Sequence, residues 1–432
     1  MRSEDAASAD SGAALDAWIA DVSQRVWGER TRRIGALTFA DTAGATLLGA
    51  VEATREGLEL SRVGVERGEA TVLDGLGTSA RWTDAVFWNA LLASLVEFGE
   101  VSASGFHAAE HVMPVALALG ELQERDGATV VDAFLAGYEV TAGLAGVLSP
   151  TFPLHSYGAV GAVGAAVCAA LLLDTDPVRA ARIAAQHLPL TTWDGSWHGT
   201  TVRGTVIAAA ATAGLRSAQL AAGGLDGEWC PLFGLLDEPD AEDLQAMIAP
   251  APPRILGSIT KMHAACLTMH RAIEAGLLLH EAGCDVDRLE VTVSSNVAMK
   301  TGRLPTGRTP LSARFSLPFG VATAVLRGRA GVDDFQPDDD VLALARRIEV
   351  REHPGLGLRD YSAVLAVHSH GELIARIESP ELRVHGGDPA LLRGLLVEKY
   401  ATTEVWGLVT AMSRLSESPQ DVSHLVRSAV TA

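Results

Sequence analysis

The chain has 432 residues, 48% of them hydrophobic but only 5% aromatic, and a formal net charge of −19. That length predicts one large or two medium domains, and the wealth of alanine, leucine and glycine favours packed helices. The negative charge argues against nucleic acid and against an anionic membrane surface as partners, while local cations still decide whether a small anionic substrate is taken.

The acidic, polar start MRSEDAASADSG is not the pattern of a signal peptide. From about residue 12 to 248 one helical pattern follows another: ALDAWIADV, FADTAGATLLGAVEATREGLEL, DAVFWNALLASLVEFGE, MPVALALGELQERDG and TVVDAFLAGYEVTAGLAGVL carry apolar residues three and four apart. GAVGAVGAAVCAALLL is apolar nearly all round, so it reads as a core helix with small residues at close approaches; such runs are too short for a spanning helix. Gly158, Gly161 and Gly164 follow no predicted strand, so they are not a dinucleotide fingerprint. In DPVRAARIAAQHLPL, Asp176 is the expected N-cap and Pro177 the first helical residue.

The proline-rich IAPAPPRIL marks a change of character. After a helix over about 267–283, DRLEVTVSS alternates Leu289, Val291 and Val293 with polar residues and reads as a strand. RRIEVREH follows, then SAVLAVHS and ELIARIES, a hairpin turning at His370-Gly371. LPFGVATAVLRG is a helix among these strands. Residues 257–388 are therefore expected to form a smaller α+β domain and residues 1–256 a helical one, completed by 389–432. Cys168, Cys230, Cys266 and Cys284 have neither zinc nor disulfide spacing, which fits a reduced, cytoplasmic protein.

Four clusters carry candidate chemistry. EFGEVSASGFHAAEHVMP places Glu97, Glu100, His107, Glu110 and His111 on a loop between apolar helices; a solvated connection is the alternative, and His107/His111 lack a third metal ligand. TFPLHSYGAVG puts His155 before the core helix, where the helix dipole would keep the ring neutral and fit to act as a general base, or where it merely caps. WDGSWHGTTVRG brings Trp193, Trp197, His198 and Arg203 to a helix start, where an arginine can hold a carboxylate or lie idle at the surface. TKMHAACLTMH carries Lys261, His263 and His270 past the proline break, where two domains meet and pockets concentrate. The chain uses lysine only at Lys261, Lys300 and Lys399, which makes Lys261 conspicuous. Nucleophilic-serine, P-loop and zinc-protease motifs are absent from the sequence.

In order and local sequence, these clusters resemble the MmgE/PrpD family, which includes 2-methylcitrate dehydratase, cis-aconitate decarboxylase and iminodisuccinate epimerase. HAAEHVMPVALALGE, HSYGAVGAVGAAVCAALLL, GTTVRG, KMHAACLTMHRAIEA and ARFSLPFGVATAVLRG carry the likeness, from about residue 15 to 415. The resemblance implies a mostly helical domain, an α+β lid, a cleft between them, a homodimer, and catalysis without metal or organic cofactor. It places His107, His155 and Lys261 on family active-site positions. Glu97 stands where aspartate is usual, Arg203 where lysine is, Phe319 where tyrosine is, and Val101 or Ser102 where threonine is.

Those departures have physical weight. Glu97 moves its carboxylate by about 1 Å, Arg203 turns a point charge into a fork, and Phe319 loses a hydroxyl. The implied activity is a lyase of dehydratase type acting on a small hydroxy-carboxylate. His155 and His107 would exchange protons, Lys261 and Arg203 would hold the carboxylate, and Glu97 would orient a histidine or a cation. His263, His198, Ser102 and Phe319 are further candidates for substrate contact. Epimerisation or isomerisation, decarboxylation, and a catalytically silent binding protein are the alternatives.

Overall fold

The computed structural model describes residues 2–432 apart from 59–65, 149–152, 156, 157, 159, 237, 238, 285, 419–421, 424, 425 and 427–432. The expected end of the second helix, parts of the TFPLHSYGAVG segment and parts of the tail after residue 418 therefore lie outside the described residues.

The helical part runs α1 (Arg2–Ser23), α2 (Glu29–Arg55), α3 (Trp82–Leu95), α4 (Ala108–Leu122), α5 (Gly127–Val147), α6 (Gly161–Leu172), α7 (Pro177–Ala184), α8 (Asp194–His198), α9 (Thr205–Ala222), α10 (Cys230–Leu235) and α11 (Ala241–Ile248). Two small ladders interrupt it, β1 (Ala70–Thr71) with β2 (Ser79–Ala80), and β3 (Leu154–His155) with β4 (Thr191–Thr192). α6 is the hub, packed by α4, α5, α7 and α9. Its glycines serve close approach: a Cβ on Gly164 would collide with the Thr141 Oγ1 and Gly137 carbonyl oxygen of α5. α7 starts as expected, the Asp176 carboxylate accepting from the amides of Val178 and Arg179 at 3.0 and 3.1 Å. By length and hydropathy α2 and α5 could each span a bilayer, contrary to the sequence expectation, but 89% and 83% of their most apolar windows are buried in the protein.

The second part contains α12 (His270–Ala282), β5 (Arg288–Ser294), α13 (Ser295–Thr301), α14 (Pro310–Ala313), α15 (Leu317–Arg327), α16 (Asp339–Ala345), β6 (Ile348–His353), β7 (Val364–Ser369) and β8 (Glu372–Glu378). The sheet order is β6-β5-β7-β8, with β5 and β6 parallel and the other pairs antiparallel. Leu289, Val291 and Val293 are fully buried, as their alternation predicts. The β7–β8 hairpin turns through His370 (φ 50°) and Gly371 (φ 81°), the two left-handed residues that suit a tight turn between twisted strands. α12 packs on α15, and together they touch β6, β7 and β8. α17 (Pro389–Tyr400) and α18 (Trp406–Met412) return to pack on α2.

The two parts are stitched through buried polar groups. Arg314 is fully buried and donates to the Leu95 carbonyl, the Glu52 carboxylate and the Val332 carbonyl, each at 3.1 Å. Burial lowers the Arg314 pKa, against the opposing pull of Glu52. A lone antiparallel bridge between Val101 and Ile259, with N···O distances of 2.9 and 2.7 Å, joins the loop after α3 to the segment entering the second part. That bridge sets the register of the site.

Candidate active site

Two residues past Ile259, the bridge delivers Lys261 opposite Glu97. Lys261 Nζ is wholly buried and donates to Glu97 Oε2 at 2.9 Å and to the Glu97 carbonyl oxygen at 3.1 Å. Arg203, carried on the single turn Thr201–Gly204 before α9, places Nη1 2.7 Å from Glu97 Oε1. Glu97 is a non-glycine residue in the left-handed region (φ 49°), a conformation costing roughly 1–2 kcal/mol that Lys261 holds by bonding both backbone and side chain. Burial alone would raise the Glu97 carboxyl, but Lys261, then Arg203 and His107, outweigh it and hold the group ionised, well below the usual carboxylate range.

His107 is the residue before α4. Its Nε2 lies 4.0 Å from Glu97 Oε2, and its Nδ1 lies 3.1 Å from Glu110 Oε1 in the first turn of that helix. The imidazole supplies no cap of its own. Instead Glu100 reaches across to accept from the Ala109 amide at 2.9 Å and from Tyr138 Oη at 3.0 Å, fixing the helix start and hence His107. Burial pushes the Glu100 carboxyl up to about 8, against these two hydrogen bonds. The i, i+4 partner His111 turns away: its Nδ1 meets the His107 carbonyl at 2.8 Å and its ring stacks on Phe106.

His155 reaches the same region from another direction. It lies on β3, paired with Thr191 of β4, and not in the first turn of α6, which begins at Gly161. The expectation of a dipole-neutralised histidine is thus corrected in its cause. Burial, and then the Arg203 guanidinium, drive the ring well below its ordinary pKa against the opposite pull of Glu97. Burial and the nearby cation, not a helix dipole, favour the neutral form of the imidazole. Its ring sits 4.2 Å from that of Trp193, which meets Phe315 edge-on at 6.2 Å. Phe315 also lies under Arg203, with the guanidinium carbon 4.7 Å from the ring centroid. A flat guanidinium can bond Glu97 at its edge and cover Phe315 with its face; an ammonium cannot do both so well.

The other sequence candidates go elsewhere. His263 Nε2 meets Glu274 Oε1 at 2.8 Å and its ring approaches His270; it lines a separate cavity of about 630 Å³ with Phe98, Arg329 and Arg383. His198 is exposed, with Nδ1 against the Asp194 carbonyl at 2.8 Å. Ser102 is buried and shapes the loop, its Oγ 2.7 Å from Ser104 Oγ and accepting from the Phe106 amide at 3.3 Å. Phe319 is buried beside Phe335. The structure therefore gathers Glu97, His107, His155, Lys261 and Arg203, and gives the aromatic contact on Arg203 to Phe315.

Besides Phe315, three participants were missed as site residues in the sequence. Glu110 and Trp193 stood within the clusters but were given no role. Lys300 was conspicuous only by its residue type: its Nζ is 5.3 Å from the Trp193 ring centroid, and it is a further cation lowering His155.

A carboxylate locked between two buried cations, with two imidazoles close by, brings together ionisable side chains from both parts of the fold. Residues 13–233 match the model of the MmgE/PrpD N-terminal domain and residues 263–403 that of the MmgE/PrpD C-terminal domain. The chain belongs to the MmgE/PrpD family, which includes dehydratases and related enzymes. A search of curated proteins returns no significant match.

Proposed function

We propose that the protein is a lyase of dehydratase type that acts on a small hydroxy-carboxylate by acid–base chemistry, without a metal or organic cofactor. The observation that carries this reading is the unlike pair of imidazoles at one cluster. His155 is held neutral by burial and by Arg203, while His107 lies between the carboxylates of Glu97 and Glu110 at 4.0 and 3.1 Å. Removal of water across a carbon–carbon bond beside a carboxylate needs a base for the acidic C–H and an acid for the departing hydroxyl. His155 is the base: a neutral ring accepts a proton. His107, between the carboxylates of Glu97 and Glu110, is the acid. In balance, the C–H proton passes to His155, the C–H electron pair becomes the new double bond, and hydroxyl leaves with the proton of His107 as water.

Lys261 and Glu97 act by position. With Arg203 they leave the cluster one net positive charge, which offsets negative charge developing on the substrate's carboxylate. His155→Ala and Lys261→Ala, assayed singly against the acid that is turned over, test the assignment. Each should lower kcat by at least about 100-fold, in keeping with the usual contribution of a positioned acid or base; near-wild-type turnover in both ends it. Reaction in deuterated water separates the neighbouring chemistry. Inversion with exchange at the α carbon and no loss of water would instead make the protein an epimerase, and release of carbon dioxide a decarboxylase. The assembly proposed for the chain is a homodimer, which sedimentation of the purified protein checks.

A further inference from the structure

The two cations expected to grip the substrate carboxylate, Lys261 and Arg203, already bond Glu97 through both of its oxygens. Lys261 has no surface left to offer: it is wholly buried, with two hydrogen bonds to one residue. The same is true of Lys399, buried between Asp41 Oδ1 at 2.6 Å, the Phe98 carbonyl and the Phe98 ring. The third lysine differs. Lys300, at the end of α13, is only partly buried, and among the described residues no carboxylate lies within the 4.0 Å ion-pair distance of its Nζ.

Its setting points it at the reaction centre. Nζ lies over Trp193 at 5.3 Å, the His155 ring lies 4.2 Å from the same indole, and Lys300 is felt electrostatically by His155. The position is held rigidly. Trp197 Nε1 donates to the Lys300 carbonyl at 2.8 Å, Arg303 covers Trp197 with its guanidinium carbon 3.6 Å from the ring, and Trp193 and Trp197 stack at 6.5 Å. A cation that is ordered, partly desolvated and without an acidic partner is suited to bind an anion that arrives from solution.

We propose that Lys300 holds a carboxylate of the substrate beside His155, and so sets which acids the site accepts. This rests on the reading of the site as an acid–base centre for carboxylates. An acid seated there presents its α or β C–H to His155, while Arg203 and Lys261 stay with Glu97. Lys300 is half-buried where Lys261 and Lys399 are buried, so labelling of its amine can read the site.

With lysine only at 261, 300 and 399, peptide-resolved reductive methylation reports on Lys300 cleanly. The probes are malate, citrate and tricarballylate, each at saturating concentration, with thermal shift of the wild type, Lys300→Met and Lys300→Arg in parallel. The expected result is that the best-stabilising acid slows methylation of Lys300 at least tenfold without protecting the N-terminal amine. Its thermal stabilisation is lost in Lys300→Met and partly kept in Lys300→Arg. If an acid stabilises wild type and Lys300→Met equally while Lys300 methylates at its unprotected rate, the role of Lys300 falls and the acid–base reading stands. If none of the acids stabilises or is altered by the wild type, both fall.

Discussion

Replacing Lys261 by methionine tests the central cluster, because methionine keeps much of the length and removes only the ammonium. Lost with it are the bonds to Glu97 Oε2 at 2.9 Å and to the Glu97 carbonyl at 3.1 Å. Breaking a buried ion pair from one side costs about 3–5 kcal/mol. Arg203 remains on Oε1, so the low end, about 3 kcal/mol, applies. At about 2.1 cal/mol/K per residue, a 432-residue cooperative unit has an unfolding entropy near 0.9 kcal/mol/K, so the melting temperature should drop by about 3 °C. Differential scanning calorimetry at neutral pH reads this, in a cycle with Glu97→Gln and the double variant, where the two changes should couple by more than about 1 kcal/mol. Acid adds a second readout. The folded-state pKa of Glu97 is depressed, so its stabilisation is present above the unfolded value of about 4.3 and disappears as pH falls from there toward the folded value. Lys261→Met should therefore lose less stability than wild type on acidification below about pH 4.3. A melting temperature within about 1 °C of wild type, additive with Glu97→Gln, would refute the claim that this ion pair organises the site.

Other consequences follow from the same geometry. Because the buried His155 pKa is depressed and the ring must be neutral to accept a proton, the acid limb of kcat/KM should lie below the ordinary histidine value of about 6.5; Arg203→Gln should move that limb upward, measured as a pH–rate profile. Glu100 runs the opposite way to Glu97. With its folded pKa raised to about 8, it favours folding below about pH 4.3, and that contribution is lost as pH rises toward 8. Glu100→Gln should thus gain on wild type in thermal stability between pH 5 and pH 8, by at most about 1.4 kcal/mol per pH unit. Gly164→Ala should destabilise by about 1–3 kcal/mol in urea unfolding, because α5 and α6 must separate to admit a methyl group.

Much of the architecture was legible along the chain because periodicity is local. The apolar stripes placed α5, α6 and α12 to within a few residues, Asp176 acted as an N-cap, and His370-Gly371 turned the hairpin. The site was legible in part, through the unusual lysine, two histidines set before helices, and the family likeness of the segments that bear them. Sequence spacing carries no information about which charges meet. Glu97 and Lys261 are 164 positions apart, and the Val101–Ile259 bridge beside them joins their two segments. The family likeness gave Lys261 and Arg203 to the substrate carboxylate; in the fold both bond Glu97, and Lys300 lies half-buried beside Trp193. Phe319, named through the family likeness, packs beside Phe335, while Phe315, in the turn between α14 and α15, lies under Arg203. What the sequence determined was the set of helices, strands and chemically able groups, since these follow from local propensity and side-chain type. What the tertiary structure decided was their pairing, since burial makes an unpaired charge so costly that each buried cation must find its anion wherever the fold has put it.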